Sequence, residues 1–493
     1  MGLAQLGRTR SDIEPLTIER HKTAEERIEA LGSEEDAVRK EAAGELLAMG
    51  PGVLELLRSH ANHENPRVRE EVQGLIDRIT PLKTLEFWTY AAADDDYYWS
   101  EVKRIFEAEN PGVVVRMVTD LPGRNLQQKM NLRFIAGNPP DVMILNDWWT
   151  AALNKEGMLL PLEEFIANDP AYKTEHFPQS MVDDGYVGDT RFSAPYYGGY
   201  ACLMYRTDLF RKAGVEPPRT WEELVSVGQT LKRELDMEYP FGLAPISPFY
   251  MTTFIWQNGG EIVDAHHREV KLDEPEAIGA VQFVHDLMYK YEIVNPGLAS
   301  GTNVEALWAA GDIAMMYGGA WNFGQMDKDY PQYVGKWDVA PLPAGRQYTT
   351  FYGGQHLLIP NGSTHPELAW KFIVLLTRPD MQKLMADELG RPPANLQCYD
   401  DPEFRDEHPF MTKMRPWMVQ GRNYRFAPYL WDIWNTRFKG DVLEAVMPDP
   451  NADIPTVMKN AVKEMQDVAD GYWRRHGYFF AGKTVKPELG PTD

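Results

Sequence analysis

The stretch LFRKAGVEPPRTWEELVSVGQTL, residues 209–231, carries the clearest local structural signals in this chain. Gly214 predicts the end of one helix, because glycine adopts the left-handed backbone of a helix C-terminus without steric cost. Pro217 and Pro218 predict a stiff joint after it. Thr220 is placed to cap a second helix, and Glu223, three residues later, completes a capping box. The stretch therefore predicts two helices joined by a short, rigid turn.

Around this stretch, short apolar runs alternate with amphipathic helical patterns, which indicates an α/β fold from about residue 82 onward. Helices are predicted at 98–109, 126–136, 275–291 and 366–376. Strands are predicted at 85–88, 113–118, 142–145, 200–205, 313–317, 339–341 and 356–359. The connections between the first three strands favour a parallel sheet.

The residues up to about 80 differ from the rest and predict an all-helical segment. Ser33 is placed to cap a helix, with Asp36 three residues later. The sequence VRKEA at 38–42 is matched by VREEV at 68–72, an offset of 30 residues. This spacing resembles a short HEAT-type helical repeat. Two interpretations are open for residues 1–80: a docking module for a protein partner, or a helical extension packed on the following domain.

The size and charge of the chain limit its function classes. Its 493 residues are too many for one ordinary core and predict two or three domains. The formal charge of −23 argues against a nucleic-acid partner, because phosphate binding needs a basic surface. No stretch reaches the roughly 18 consecutive apolar residues of a membrane-spanning helix. Residues 1–10 lack the apolar segment of a secretory signal, so an exported function would need a signal that this sequence does not contain.

No enzyme, metal or cofactor motif is recognised. His266-His267 lacks the H-E-x-x-H frame of zinc proteases, and neither a P-loop nor G-x-S-x-G occurs. The acidic run at 94–96 lacks the alternate spacing of a calcium loop, which favours a solvated loop with one aspartate reaching a ligand. A Glu–Asp pair of a glycoside hydrolase stays open as the enzymatic alternative, because carboxylates are numerous.

The two cysteines, Cys202 and Cys398, could form a disulfide only if the fold brought them together. We expect two isolated, buried thiols instead, because free cysteine behaves as a small apolar residue.

Polar and aromatic residues follow three of the predicted strands. In open α/β sheets, ligands meet the loops at the carboxyl ends of the strands. Each of these loops pairs hydrogen-bonding groups with rings, as a polyhydroxylated ligand requires. The residues that this rule predicts at a ligand site are Tyr90, Asp95, Asn146, Asp147, Trp148, Gly319 and Trp321.

Several further segments, in order, resemble one known family. These are ENPGV at 109–113, GNPPDV at 137–142, GDIAMM at 311–316 followed by GAW at 319–321, APLP at 340–343, and YGG at 352–354. Together with residues 209–231, they resemble the extracellular solute-binding proteins (family 1) of sugar ABC transporters. The resemblance extends over about residues 82–477.

This resemblance implies a fold class and a domain organisation. The fold class is α/β, with the two-lobed, periplasmic-binding-protein-like fold (class II type), a hinge and an interlobe cleft. Lobe one would comprise 82–195 and 337–377, and lobe two 196–336 and 378–480. A small all-α, HEAT-like segment (1–80) precedes the lobes, and residues 481–493 form a C-terminal tail.

The resemblance also implies ligand contacts. It supports Asp147, Trp148 and Trp321, and it places Tyr196 near a crossing between the lobes. In lobe two it adds Tyr250 and, one or two helical turns later, Trp256. Its C-terminal stacking ring corresponds to Trp431 or Trp434, and its loose alignment adds Arg391. Gly354, beside Gly353, would let the backbone approach the ligand closely.

The function implied is that of a carrier without catalytic activity. It would bind a mono- or oligosaccharide in the periplasm or outside the cell, as a monomer, and deliver it to the permease of an ABC importer. The alternative is an extracytoplasmic sensor with the same fold, tied to a protein partner through residues 1–80. Glycerol phosphates or polyamines remain open as ligands, and the sequence does not specify which sugar.

Overall fold

The structure is a computed structural model, and it describes residues 17–79, 83–89, 97–118, 123–154, 157–187, 189–265, 267–300, 303–423, 429–430, 432–476, 478–480 and 483–485. The chain divides into two compact units. Unit 1 is Met1–Met143 with Gly362–Leu376, and unit 2 is Ile144–Asn361 with Thr377–Asp493. The predicted lobe boundaries stay predictions.

The described helices are α1 (Ile18–Ala30), α2 (Asp36–Ala48), α3 (Leu54–Ser59), α4 (Pro66–Ile79), α5 (Tyr97–Glu109), α6 (Gly123–Ile135), α7 (Trp148–Asn154), α8 (Glu163–Asn168), α9 (Gln179–Asp184), α10 (Thr207–Ala213), α11 (Trp221–Leu235), α12 (Pro248–Gln257), α13 (Pro275–Tyr289), α14 (Val304–Ala310), α15 (Phe323–Asp329), α16 (Pro366–Thr377), α17 (Pro379–Leu389), α18 (Pro402–Glu407), α19 (Pro409–Gln420), α20 (Glu444–Val446) and α21 (Ile454–His476). Short 3₁₀ turns occur between them, and Asp432–Leu443 is π-helical.

The described strands are β1 (Lys83–Thr89), β2 (Val113–Val118), β3 (Val142–Asn146), β4 (Tyr186–Val187), β5 (Thr190–Arg191), β6 (Ser193–Arg206), β7 (Phe241–Gly242), β8 (Met315–Gly319), β9 (Trp337–Ala340), β10 (Tyr352–Leu358), β11 (Tyr478–Phe480) and β12 (Lys483–Val485).

In unit 1, the N-terminal helices α1–α4 enclose a hydrophobic core of their own. Its centre is formed by Ile28, Leu46, Leu57 and Val72, none of which is exposed to solvent. The all-helical prediction for this segment is therefore confirmed over the described residues, and its HEAT-like character stays a prediction.

The repeated arginine of this segment makes the same contact twice. Arg39 Nη1 donates to the carbonyls of Ser33 (2.9 Å) and Glu34 (3.0 Å). Thirty residues later, Arg69 Nη1 donates to the carbonyls of His63 (2.7 Å) and Glu64 (3.0 Å). The predicted Ser33 cap is wrong: α2 begins at Asp36, and Ser33 Oγ accepts from Glu35 N instead. Here an arginine side chain, rather than Ser33, joins the helix to the preceding turn.

The α/β part of unit 1 follows the sequence prediction closely. β1 and β2 pair in parallel, from Lys83 opposite Val113 to Trp88 opposite Val118, which confirms the predicted parallel pairing. Phe372 of α16 packs 5.2 Å from Phe87 and 5.0 Å from Phe106, measured between ring centroids.

Unit 2 is organised around β6, a buried strand of 14 residues. β10, β8 and β9 all pair with it antiparallel, and β7 pairs with β8 in parallel. The predicted strand at 200–205 covers only the second half of β6. The first half contains Pro195 and two glycines, which sequence patterns read as loop; it is a strand because β10 pairs along it, with a bulge at Gln355/His356, next to the register position of Pro195.

Residues 209–231 fold as predicted, with one difference. Gly214 ends α10 with φ of 68°, and Thr220 Oγ1 accepts from Glu223 N at 3.2 Å at the start of α11. The Glu223 carboxylate, however, accepts from Arg219 N (2.7 Å), one residue before the expected Thr220 N.

The expectation for the two cysteines is met in the described residues. Cys202 and Cys398 are both buried and free, so the prediction of isolated thiols is confirmed. Among the described helices, none combines the length and the apolar character needed to cross a bilayer.

Replacing Thr220 with alanine should lower the free energy of unfolding by about 1 kcal/mol, because the amide at the start of α11 loses its cap. Thr220→Ser should retain most of the stability. The matched control is Thr230→Ala in the same helix, where the lost hydroxyl only donates to the Ser226 carbonyl. Chemical denaturation measures all three, and equal losses in Thr220→Ala and Thr230→Ala would contradict the cap assignment.

Candidate functional site

Asp147 follows β3 and begins the site in unit 2. It is 4 % exposed. Its Oδ2 accepts hydrogen bonds from Gly354 N (3.0 Å) and Asn423 Nδ2 (2.7 Å), and its Oδ1 accepts from Trp148 N (2.8 Å). The backbone N–H of Asp147 donates to the Gly354 carbonyl at 3.0 Å. The carboxylate is therefore fixed by donors from three separate segments.

The electrostatics of Asp147 follow from this burial. Removal from water raises the pKa of its carboxyl to about 6, and the hydrogen bonds from Gly354, Asn423 and Trp148 oppose that rise. Near neutral pH the side chain is ionised and still a strong acceptor, and it becomes protonated under mildly acidic conditions.

Asn423 and Asp184 belong to the same group, and sequence reasoning missed both. Asn423 Nδ2 donates to Asp147 and also to Asp184 Oδ2, at the end of α9. The segment is positioned by Arg422, whose N–H donates to the Thr350 carbonyl (2.9 Å) and whose carbonyl accepts from Tyr352 N (2.8 Å). No local pattern marks residues 421–423, so only the long-range pairing with β10 reveals them.

A cluster of rings lies beside the carboxylate. Trp321, directly after β8, is half-buried and contacts Phe249 edge-on, with 5.4 Å between centroids. Phe249 in turn packs 4.6 Å from Phe351 and 5.3 Å from Tyr250. The predicted residues Trp321 and Tyr250 are therefore brought together through Phe249, and Phe351, which was not predicted, packs on the same ring.

Two facing glycines on neighbouring strands show how the Trp321 indole and the Asp147 carboxylate are placed relative to each other. Gly199 of β6 lies directly opposite Gly353 of β10. A Cβ at Gly199 would lie 3.8 Å from Trp321 Cε3, and one at Gly353 would lie 2.7 Å from Asn423 Nδ2 and closer still to Asp147 Oδ2. Directly opposed residues of an antiparallel pair point to the same face, about 5 Å apart. The indole of Trp321 and the carboxylate of Asp147 therefore lie side by side on one face of the sheet.

Gly319 is needed for the same reason. It is a predicted site residue, and any side chain there would collide with the ring of Trp321. The indole consequently lies directly on the backbone of β8.

Arg391 lies next to this face. Its guanidinium is 5.6 Å from the ring centroid of Tyr197, the neighbour of Tyr196 on β6. Burial raises the pKa of the Tyr197 hydroxyl to about 12, and the nearby Arg391 charge lowers it in part. Arg391, which was predicted from a loose alignment, therefore lies beside the strand that carries the site.

Trp256 lines a separate cavity of about 360 Å³ in unit 2. The guanidinium of Arg422 lies 4.8 Å from the Trp256 ring centroid and donates to both Glu261 oxygens at 2.9 Å. Asp184 and Asn423 also line this cavity, which therefore shares residues with the Asp147 group.

The other predicted residues differ in placement. Tyr196 is fully buried, with its carbonyl bonded to Gln382, and Trp434 is 4 % exposed and donates to Thr252 Oγ1 at 2.9 Å; both stay predictions as ligand contacts. Asn146 and Trp148 are half-buried beside Asp147. Tyr90, Asp95 and Trp431 lie outside the described residues.

One group of potential metal ligands converges in the described part of the chain, and it includes no predicted site residue. It consists of Asp387, Glu407 and His408, with His408 Nε2 2.7 Å from Asp387 Oδ1. The two carboxylates are exposed to solvent, and an ordinary side-chain hydrogen bond between His408 and Asp387 accounts for the contact.

Comparisons with known proteins identify related sequences. The sequence model of the bacterial extracellular solute-binding proteins matches residues 86–383. A maltotriose-binding protein of Pyrococcus abyssi is 25 % identical over 349 residues, covering 69 % of this chain and 73 % of the relative.

Solved structures share the fold. The sugar-binding protein MalE of Xanthomonas citri has a TM-score of 0.71 at 21 % identity and covers 80 % of this chain and 100 % of that protein. An ABC transporter solute-binding protein of Thermotoga lettingae, bound with α-D-tagatose, has a TM-score of 0.67 at 21 % identity. The match covers 79 % of this chain and 100 % of that protein. The predicted fold class is therefore confirmed.

Gly353→Ala should lower the free energy of unfolding by about 1–3 kcal/mol, because the added methyl group displaces Asp147 and Asn423. The same change at Gly44, an exposed position inside α2 with nothing within 4 Å of a Cβ, should instead stabilise by up to about 1 kcal/mol. Thermal or chemical denaturation compares the two. A neutral Gly353→Ala variant would mean that the glycine is not required for this packing.

Proposed function

The chain belongs to the bacterial extracellular solute-binding proteins, and we propose that its solute is a carbohydrate, mono- or oligosaccharide, which it delivers to the permease of an ABC importer. The family binds solutes without converting them, so the chain is a binding protein and not an enzyme. The relatives named above, two of which are described by the sugars they bind, support the choice of a carbohydrate.

The observation that carries the proposal is the placement of Trp321 beside Asp147 across the Gly199–Gly353 pair. A sugar ring has apolar C–H faces and an edge of hydroxyl groups. An indole covers such a face, with about 0.5–1.5 kcal/mol beyond the buried area for a well-made aromatic contact. A carboxylate accepts the hydroxyl protons in charge-assisted hydrogen bonds, which are stronger than neutral ones. One sugar unit can use both at once, because the two groups are neighbours.

The charges around Asn423 disfavour an anionic group at that position, whereas the guanidinium of Arg391 lies beside Tyr197. Asp147 and Asp184 lie on either side of Asn423, and Arg422, the adjacent cation, is bonded to both oxygens of Glu261. A phosphate group would meet two carboxylates, which disfavours the glycerol phosphates. Polyamines are the remaining alternative, and binding of a polyamine would contradict the proposal of a carbohydrate ligand.

Two lobes and an extracytoplasmic location are also proposed for this chain. We place the lobes at 82–195 with 337–377 and at 196–336 with 378–480, and we place the protein in the periplasm or outside the cell, as a monomer. Ligand contacts on both lobes would favour a closed form over an open one, and the closed form would dock on the permease. Shifting such an equilibrium from 1:99 to 99:1 takes about 5.5 kcal/mol of differential binding.

A panel of solutes tests the proposal directly. Thermal-shift screening of neutral mono- and oligosaccharides, glycerol phosphates and polyamines, followed by calorimetry of the hits, should give saturable binding of a neutral sugar. The same sugar should stimulate ATP hydrolysis by the reconstituted permease when this protein is added. Binding of a polyamine alone would contradict the proposal.

The alternative of a sensor is favoured by one observation, the self-contained core of α1–α4 in residues 17–79. A helical module with its own core is suited to binding a protein partner. In that case the ligand would still bind, but the permease would show no ligand-dependent stimulation.

Trp321→Ala should weaken the affinity for the sugar at least tenfold, about 1.4 kcal/mol, while the melting temperature stays close to that of the wild type. The reason is that the half-buried indole contributes more to the ligand than to the core. Trp473→Ala is the control, since this half-buried tryptophan of α21 contacts Arg268, away from the site. Calorimetry showing unchanged affinity for Trp321→Ala would remove Trp321 from the site.

A further inference from the structure

We propose that Asn423 is a positioning residue for the solute: by binding Asp147 and Asp184 through one amide nitrogen, it holds the Asp147 carboxylate ready to accept hydroxyl protons from the ligand. The inference rests on the proposed carbohydrate site, and it assigns a role to a residue outside the sequence motifs that mark that site.

The geometry shows why this position is special. Asn423 Nδ2 is 2.7 Å from Asp147 Oδ2 and also bonds Asp184 Oδ2, so the two carboxylates share one donor. An amide nitrogen carries two hydrogens and no charge. It can therefore bind both carboxylates simultaneously and cannot lose its donors by titration. Serine would offer one donor, and an aspartate would add a third negative charge.

Among the described residues, the groups around Asp147 include no charged donor in a position to separate the two carboxylates, so Asn423 is the side chain that does so. Around Asp147, β10 contributes Gly353 and Gly354, and α7 contributes the N–H of Trp148, none of which is charged. The facing carboxylate is Asp184 of α9, and the cation of the 421–423 segment, Arg422, is committed to Glu261. Two nearby carboxylates repel each other, and an intervening donor reduces the cost of ionising both.

The position of Asn423 also connects the two parts of the site. Its side-chain amide donates a hydrogen bond to Asp147, which lies beside Trp321. Asn423 also lines the cavity that Trp256 lines. A change at Asn423 should therefore alter the carboxylate that meets the ligand without touching the stacking ring.

The consequence is a specific pH dependence. The pKa of Asp147 is raised to about 6 by burial, and Asn423 is one of the donors that limit this rise. In the wild type, sugar affinity should fall as the pH drops through about 6, because the protonated carboxyl is a weaker acceptor. Without Asn423, Asp147 loses a donor and faces Asp184 directly, so its titration should move upward.

The experiment measures sugar affinity by calorimetry from pH 5 to pH 8 in the full chain. Asn423→Ala should move the midpoint of the affinity loss upward by about one pH unit. Asp184→Asn should move it downward, because a like charge is removed. Asp147→Asn should abolish the pH dependence in this range. Asn361→Ala is the matched control, since its amide donates to the Gly157 carbonyl away from the site, and its midpoint should equal that of the wild type.

A purely structural role for Asn423 would give a different result. Asn423→Ala would then lower the melting temperature or the affinity uniformly, with the midpoint unchanged, and the proposal would be overturned. Opposite shifts in Asn423→Ala and Asp184→Asn support it, because general destabilisation does not change sign.

A ligand-free measurement separates this inference from the carbohydrate proposal. The stabilisation from Asp147 is present below the ordinary pKa of aspartate and is lost as the pH rises through about 6, because the folded state binds the proton more tightly. The difference in unfolding free energy between wild type and Asp147→Asn should show this window, and the Asn423→Ala background should extend it to higher pH. If no sugar binds but the window moves, Asn423 positions Asp147 and the solute class is wrong. If a sugar binds and the window stays, only the role of Asn423 is wrong.

Discussion

The antiparallel pairing of β6 with β10 is the constraint on which the described site depends. Where the two strands cross the site, they present glycines to each other, Gly198 opposite Gly354 and Gly199 opposite Gly353. A Cβ at Gly354 would overlap the Tyr197 carbonyl, and one at Gly353 would overlap Asp147. With no side chains on this part of the sheet, residues from distant segments can lie directly on the backbone. The register therefore decides that the indole and the carboxylate share one face.

That arrangement makes the burial of the Asp147 carboxylate energetically costly. A buried carboxylate loses its hydration, and three N–H donors replace the water only in part, which is why its pKa stays elevated. The same incomplete satisfaction benefits binding. A ligand hydroxyl that donates to Asp147 restores part of the lost hydration, whereas a solute without such a donor leaves the group as it was. Under the proposed function, a preference for hydroxyl-rich solutes would follow from the burial of this carboxylate.

The sequence predicted most of the local structure and only part of the site. β2 was predicted with its observed ends, and α5 and α16 within one residue, because their apolar patterns and helix-ending residues are local. Half of β6 was missed, since Pro195 and the glycines disfavour a strand unless partner strands supply the pairing. Asp147 and Trp321 were predicted because each follows directly after a strand, and they stay predictions as ligand contacts. Asn423 and Asp184 were missed because their contacts join residues more than 200 positions apart, and no local pattern reports such pairing. Tyr196 and Trp434 are both buried, and sequence alone does not reveal which face of its element such an aromatic residue occupies.

The N-terminal helices pack mainly against one another within unit 1. Their buried residues contact one another, from Ala24 to Ile79, and the two repeated arginines tie each helix to its own preceding turn. Where this segment meets α5 and β2, a cavity of about 650 Å³ remains, lined among others by Met49, Pro51 and Val113. The helical segment therefore has a hydrophobic core of its own within unit 1. Substitutions on the outer faces of α1–α4 leave that core unchanged, which is a condition under which a binding protein can acquire an additional partner.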